Sequence, residues 1–377
     1  LKNKNYRHTE HIKLSDSRKD RNFAFSNEYY PNRLYAQIRK KVPVIDAAIM
    51  KTVRLTGGFR VISDDESMQK SLDDFVENVP VGLTRVSLFS FIDTYLESLL
   101  TYGNSVGEIV YDKNGYGIAG LFNIDPCGIE IRSKSPKEPF EKRIFIHNSK
   151  EKIEIKYPQR ILFSALNPQA GKVYGESVLA GLPCLSGILL RIYECIGQNY
   201  DRIGNVRYAI TYNPQDADER SYAGERVEKI AKEWSDGMKA SACGEVRDFI
   251  ASGNVDIKVI GADNPLIDTE VPVRQLLEQI TAKLGIPPFL LGLSWSTTER
   301  MSQQQCDILT SELEYYRRLL TSVIKKICTA YLRLSGSSAE INVEWDNINL
   351  LDETELANAR LANARAIQIE NQTENSN

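Results

Sequence analysis

Histidine is nearly missing from this chain: His8, His11 and His147 are the only three in 377 residues. A His-based catalytic triad or a His-rich zinc site has almost nothing to draw on. Paired cysteines are missing too. Cys127, Cys184, Cys195, Cys243, Cys306 and Cys328 include no C-x-x-C spacing. They are too sparse for a disulfide framework and are expected as reduced, mostly buried thiols. There is no excess of positive charge. Lys and Arg number 47 against 50 Asp and Glu, a net charge of −3, so no global basic field draws the chain onto nucleic acid. No apolar run approaches a membrane span; the best, at 185–197, is broken by Arg191 and Glu194. A membrane partner is not expected.

Motifs for phosphate binding and acyl transfer fail on inspection. Gly171-Lys172 is followed by Val173, not by the hydroxyl residue that completes a nucleotide-binding loop. The run from Gly175 to Leu179 lacks the second glycine of a nucleophile elbow. Asp64, Asp65 and Glu66, with Asp73 and Asp74, are acids of polar segments, expected to face solvent rather than to hold Mg²⁺. His147 falls at a turn and is expected to be an exposed polar residue. Nothing assembles a nucleophile, a base and an anion site. No catalytic residue, cofactor or metal ligand is assigned, and an enzyme is not expected.

What is present is a globular composition, 42% hydrophobic and 26% charged, with length for two or three domains. The centrepiece is 275–334: a helix, a Pro287-Pro288 break and a longer helix. Leu276, Leu277, Ile280 and Leu284 recur at helical spacing, and Gly285 suits a left-handed terminus. The longer helix is expected to start at Thr297 or Thr298, whose hydroxyl can cap it. From there Leu309, Leu313, Tyr316, Leu320, Val323, Ile327 and Leu334 make one apolar seam. Such a seam serves either an ordinary core helix or a contact with a neighbour.

Residues 1–28 form a basic arm, either solvated or in contact with nucleic acid or a neighbouring subunit. A helical pattern runs from Tyr30 to Val53 and ends at Gly57-Gly58. A strand follows at 59–63, then a helix through Leu72, Phe75 and Val76. Another helix runs from Thr84 through Phe89, Ile92, Leu96 and Leu99 to a cap at Gly103. The period then switches to two. Six short alternating segments between 105 and 166 read as an antiparallel meander, making an α+β domain with the helices before it. Gly175-Glu176-Ser177 is expected to open a helix through Leu185, Leu189, Ile192 and Ile196. Its Gly181, Gly187 and Gly197 suggest close packing against a neighbour, or a bend near Pro183. Between the two seamed helices lies a small α/β module. It has strands at 206–214, 246–252 and 255–261 and a charged helix at 218–239 with Val227, Ile230, Trp234 and Met238 inward. A strand from Ile341 and an Ala-rich helix capped by Asp352 close the chain.

Four ordered blocks resemble one family, the portal proteins of tailed double-stranded DNA phages. They are the helix–Gly103-Asn104–strand–turn–strand block ending at Pro126; the strand at 160–166 leading to Gly175-Glu176-Ser177; the helix ending in Ile286-Pro287-Pro288 with Leu291-Gly292; and the strand at 344–350 followed by Asp352 and the Ala-rich helix. The resemblance covers roughly 30–370 and implies an α+β portal-like fold. Residues 29–174 would be the wing, 175–205 the first stem helix, 206–292 the clip and linker, 293–335 the tunnel-loop region and second stem helix, and 336–377 a short crown.

The resemblance implies a dodecameric ring of copies of the chain at one capsid vertex. Double-stranded DNA would pass through its channel. Partners would be the terminase large subunit, the major capsid and scaffolding proteins and a tail adaptor, with assembly in the host cytoplasm and residence in the virion. Channel or tunnel-loop candidates are Thr298, Glu299, Arg300, Gln303, Gln304, Glu312, Glu314 and Arg317, within a polar or kinked portion at 294–318. Subunit-packing candidates are Leu185, Leu189, Ile192, Ile196, Leu313, Leu320, Val323 and Ile327. Terminase-docking candidates are Lys229, Lys232 and Lys239. The mild acidity fits a channel that must pass a polyanion without holding it. A different capsid or scaffolding-type protein, or a nucleic-acid-processing enzyme, are the alternatives. Assembly form separates the first and metal-dependent cleavage the second.

Overall fold

The structure, a computed structural model, describes residues 32–135, 138–147, 152–204, 207–212, 222–242, 255–260, 268–293 and 299–348. The basic arm, the strand expected at 246–252, the cap at Thr297 or Thr298 and the Ala-rich last helix lie outside these residues. The chain divides into two compact units, one of residues up to 188 and from 275 on, the other of 189–274. The fold is α+β.

The first unit begins with two helices, not one. α1 (Asn32–Lys41) stops at Val42, whose extended backbone (φ −119°, ψ 93°) precedes α2 (Pro43–Thr56). Proline disfavours helix in the residue before it and is well suited to a first turn, so the single helix expected from Tyr30 breaks at Pro43. α2 buries Ile45, Ala48, Ile49, Thr52, Val53 and Thr56 along one stripe. Gly57, at φ 79°, turns the chain into β1 (Phe59–Ser63). α3 (Glu66–Asn78) is capped by Asp65, whose carboxylate accepts from the Ser67 amide, and buries Leu72, Phe75 and Val76 as its spacing requires. A tight hairpin of β2 (Pro80–Val81) and β3 (Arg85–Val86) leads to α4 (Leu88–Tyr102), capped by Ser87. Gly103 closes α4 in the left-handed conformation, φ 75°.

All six alternating segments form strands, but they do not make one meander. β4 (Asn104–Tyr111) pairs with β5 (Ile118–Ile124) and with β9 (Ile161–Ala165), giving a five-stranded sheet of order β3-β2-β5-β4-β9 in which β2 and β5 run parallel. β6 (Ile129–Ser135), β7 (Glu138–His147) and β8 (Lys152–Glu154) form their own antiparallel sheet. The two sheets share a core of Val106, Ile129, Ile131, Ile144 and Ile161. Alternation fixes which face of a strand is apolar, not which strand lies beside it. α4 covers the other face of the larger sheet. Gly107 leaves room for it, since a Cβ there would stand 2.6 Å from the Phe91 ring.

The Gly175-Glu176-Ser177 segment does not start a helix. α5 runs Leu182–Gly204, with Pro183 in its first turn and not at a bend. Gly175 to Ser177 is bound across the end of α4. The Gly175 amide donates to Asn104 Oδ1 (2.9 Å), Leu166 N–H to the Gly103 carbonyl (2.8 Å) and Glu176 N–H to the Leu166 carbonyl (2.8 Å). The buried Ser177 hydroxyl lies 2.7 Å from the carbonyl of Thr101 and accepts from Leu179 N–H at 3.0 Å.

After α7 (Glu270–Leu284), Gly285 takes φ 68° and Pro288–Leu291 makes a single 3₁₀ turn. α8 (Glu299–Leu334) is one unbroken helix of 36 residues, about 54 Å long at 1.5 Å per residue. Its seam packs on α2, α3, α4 and β12 (Ile341–Trp345), all in the same unit. β12 in turn pairs antiparallel with β1, Phe59 opposite Trp345. In the second unit, β10 (Arg207–Tyr212) and β11 (Val255–Ile260) pair antiparallel, and α6 spans Ala223–Ala242.

A Cβ on Gly175 would lie 2.3 Å from both the amide and the carbonyl of Leu166 and 2.4 Å from the carbonyl of Gly103. Backbone cannot yield as a side chain can. Gly175→Ala should therefore lower unfolding stability by about 2–4 kcal/mol in urea titrations. A variant as stable as the parent would refute this account of the crossing.

Candidate assembly and channel surfaces

α8 sets the geometry of the channel candidates. At 100° per residue, Arg300, Gln303, Gln304 and Glu314 fall within a stripe of roughly 100°, opposite the buried seam. Arg300, Gln304, Glu312 and Glu314 are exposed and Gln303 is half-buried. Asp307, Ser311 and Arg318 are exposed on the same stripe, so its formal charges balance from Arg300 to Arg318. Glu299 is the first residue of α8, and Thr298 lies outside the described residues. From Glu299 on, the portion expected to be polar or kinked is unbroken helix.

Arg317 does not belong to this stripe. It is only 8% exposed, its Nε donates to the Thr56 carbonyl at 2.7 Å, and its guanidinium lies 5.2 Å from the Trp345 ring centre. Burial lowers its pKa, while Asp346 and Glu314 favour the charged form. This cation closes the open end of α2, where a carbonyl would otherwise lack a partner.

The packing candidates divide. Leu313, Leu320, Val323 and Ile327 are all buried inside the first unit, at 0–5% exposure, so they are core residues of the protomer and not a free contact surface. The α8 seam is met by its own chain. On α5, Leu189 is buried, whereas Leu185, Ile192 and Ile196 are half-buried and Tyr193 and Tyr200 are exposed. Gly181 precedes α5 at φ 89°, and nothing lies within 4 Å of a Cβ built on Gly181 or Gly197.

Lys229, Lys232 and Lys239 are all exposed on one side of α6, with Lys239 Nζ 3.6 Å from Asp236. Val227, expected inward, is 50% exposed, and Ile230 and Trp234 are half-buried. Met238 lies among side chains that are not described. Of the described cysteines, Cys306 and Cys328 are buried but Cys184 and Cys195 are exposed, so burial of most thiols does not hold.

His147 is exposed, as expected, but it ends β7 and is paired. Its Nε2 lies 2.8 Å from Glu130 Oε2, and Lys152 Nζ reaches the same oxygen at 2.7 Å, while Arg132 pairs with Oε1. The Glu130 side chain is 5% exposed. Lys152, then His147, hold its carboxyl down to about 2, and Arg132 adds to them. Strand alternation puts Glu130, Arg132, His147 and Lys152 on the outer face of the small sheet, a signal in the sequence that went unused. Among the described residues no cluster of His, Cys, Asp and Glu is placed to hold a metal.

Against solved structures, the chain shares its fold with components of gene transfer agent particles. It aligns with a chain in the neck of a native particle computed with C12 symmetry at 14% identity and TM-score 0.63, covering 88% of each chain. A chain in the neck of an empty particle computed with C6 symmetry aligns at 16% identity and TM-score 0.65, covering 89% of each. A HK97-family phage portal protein from Corynebacterium diphtheriae aligns over 82% of this chain and 94% of its own at 13% identity, but at TM-score 0.43. No protein-family model and no curated protein matches the sequence.

Two outcomes test the assignments inside the protomer. Leu320→Ala, at a fully buried position, should cost about 2–5 kcal/mol of the isolated chain's stability in denaturant titrations. A loss of assembly without loss of stability would return this seam to an interface role. Glu130 has a folded pKa of about 2 against an ordinary 4.5. Its stabilising effect is thus full above the ordinary value and is lost as pH falls toward 2. Glu130→Gln should flatten that part of the acid-unfolding curve, and an unchanged curve would remove Glu130 as its source.

Proposed function

We propose that the chain is a portal subunit of a tailed double-stranded DNA phage or a phage-like particle. Copies close into a ring of twelve at one vertex of the capsid, assembled in the host cytoplasm and carried in the virion. DNA passes through the ring during packaging and ejection. The major capsid and scaffolding proteins surround it, and the terminase large subunit and later a tail adaptor dock on it. The protein performs no chemistry of its own. The observation that carries this reading is the fold shared over about nine-tenths of the chain with components of a particle neck of twelvefold symmetry.

Three features of the chain agree with that role. The exposed stripe of α8 around Arg300, Gln304 and Glu314 is polar and balanced in charge. A DNA-facing wall of stacked cations would gain a strong, salt-dependent grip on phosphates, and a balanced wall does not. The side chains of the half-buried Ile192 and Ile196, with exposed Tyr193 and Tyr200, leave one long helix with apolar surface to bury against another copy. Lys229, Lys232 and Lys239 on α6 form a solvated mixed-charge face suited to a reversible contact with the terminase.

Negative-stain microscopy of the purified chain tests the reading directly. Closed rings with a central hole are expected; shells or rods would move the protein to another class of capsid component. For the docking face, simultaneous charge reversal of Lys229, Lys232 and Lys239 should leave rings intact while DNA packaging fails. Unimpaired packaging would place terminase docking elsewhere.

A further inference from the structure

A cyclic ring of more than two copies needs a head-to-tail contact, in which one surface of each copy meets a different surface of the next. The α8 seam cannot serve, because the protomer consumes it. The first unit nevertheless carries two unlike apolar surfaces, one convex and one concave.

The convex surface is the tip of the β2–β3 hairpin. Leu83 is 96% exposed there, beside Val86 at 61% and Phe122 at 45%. Gly82, at φ 60°, makes the tight turn that pushes Leu83 outward, and the turn backs onto the Phe122 ring. A wholly exposed leucine with two apolar neighbours is a cost to an isolated chain and an asset to a contact.

The concave surface is a groove of about 260 Å³ between α7 and α8, lined by Ala282, Ile286, Pro287, Pro288, Gln305 and Ile308. Ile308 is 65% exposed. Gln305 Oε1 is buried and has no hydrogen-bond partner among the described residues. A buried acceptor without a donor is costly, so a partner that brings a donor gains from it.

These surfaces lie toward opposite edges of the larger sheet. β3 forms one edge of the five-stranded sheet and β9 the other. Four interstrand spacings of about 4.8 Å set the edges roughly 19 Å apart. α8 borders the β9 side: Lys326 Nζ donates to the Ile161 carbonyl at 3.0 Å, and Tyr315 OH to Asn167 Oδ1 at 2.8 Å. Ile308 lies seven residues before Tyr315, about 10 Å further along the helix. Knob and groove are thus separated across the unit, as a contact that repeats around a ring demands.

We propose that the Leu83 hairpin tip of one copy seats in the α7–α8 groove of the next, Leu83 against Ile308, Ile286 and Pro288, with the neighbouring Thr84 hydroxyl as donor to Gln305. This rests on the ring reading given above and adds to it which surfaces meet.

Sedimentation velocity and negative-stain microscopy across a concentration series test it, on the full chain, with thermal melts as a folding control. Leu83→Asp and Ile308→Asp change exposed side chains, so each should melt as the parent does. Each should raise the concentration needed for half-assembly by about tenfold or more. The double variant Leu83→Asp/Ile308→Lys, which sets opposite charges across every contact, should recover most of that loss. Rings that persist unchanged in both single variants would overturn this contact while leaving ring formation standing. Loss in the single variants without recovery in the double would separate the two surfaces and overturn their pairing. A parent chain that forms no ring at any concentration would overturn the ring reading itself.

Discussion

The first unit depends on one crossing of backbone over backbone, where Gly175 to Ser177 lies across the junction of α4 and β4. Three structural events share that point: α4 is capped by Gly103, β4 begins at Asn104, and β9 ends beside it at Ala165. Ser177 and Val178 reach the last carbonyls of α4, which have no partner within the helix. The Asn104 side chain holds the Gly175 amide in the same plane of contacts. There is no space for a Cβ at Gly175. One at Gly103 would meet Glu176 and Ser177 backbone at 2.5 Å.

α8 is the second organising element, and it works by a division of faces. The seam from Cys306 to Leu332 closes the core of the first unit, stacking Tyr331 on Phe75 at a 4.1 Å ring separation near its end. Arg317 interrupts that seam with a buried cation. It satisfies the open carbonyl of Thr56 and spreads under Trp345, where Thr321 accepts from the indole N–H. Segments from near the two ends of the sequence, α2 with β1 and β12, are thereby joined on one helix. The opposite stripe is polar. A helix so firmly held on one side presents a rigid face on the other.

The exposed apolar surfaces of this chain then acquire meaning by elimination. With the α8 seam taken up inside the protomer, the apolar surface left uncovered among the described residues includes the Leu83 tip, the α7–α8 groove and part of α5. Leu83, 96% exposed on a tight turn, is apolar area that a contact would remove from water. The small sheet shows the contrasting case. Its outer face is charged, yet Glu130 gathers Arg132, His147 and Lys152 around one carboxylate, and Arg143 pairs with Glu154. Its cations are spent on its own carboxylates and hold its strands together.

Much of this was legible in the sequence, and the parts that were not share a physical cause. Period three-and-a-half marked α3, α4, α7 and α8, and period two marked all six strands from β4 to β9, because burial of one face is a local property of each element. Gly57, Gly103 and Gly285 marked turns because only glycine takes their backbone angles without strain. The break before Pro43 was equally local and was missed by following the apolar spacing across it. Three things required the folded chain. Strand order did, since alternation is blind to neighbours, and a single meander became two sheets. The purpose of Gly175 and Ser177 did, since their partners Leu166, Asn104 and Thr101 lie far off in sequence or in another element. The side on which α8 meets company did also. Periodicity states that a helix has an apolar face, and only tertiary structure decides whether the same chain or another copy covers it, because the free energy of burial depends on the area removed from water and not on whose side chains remove it.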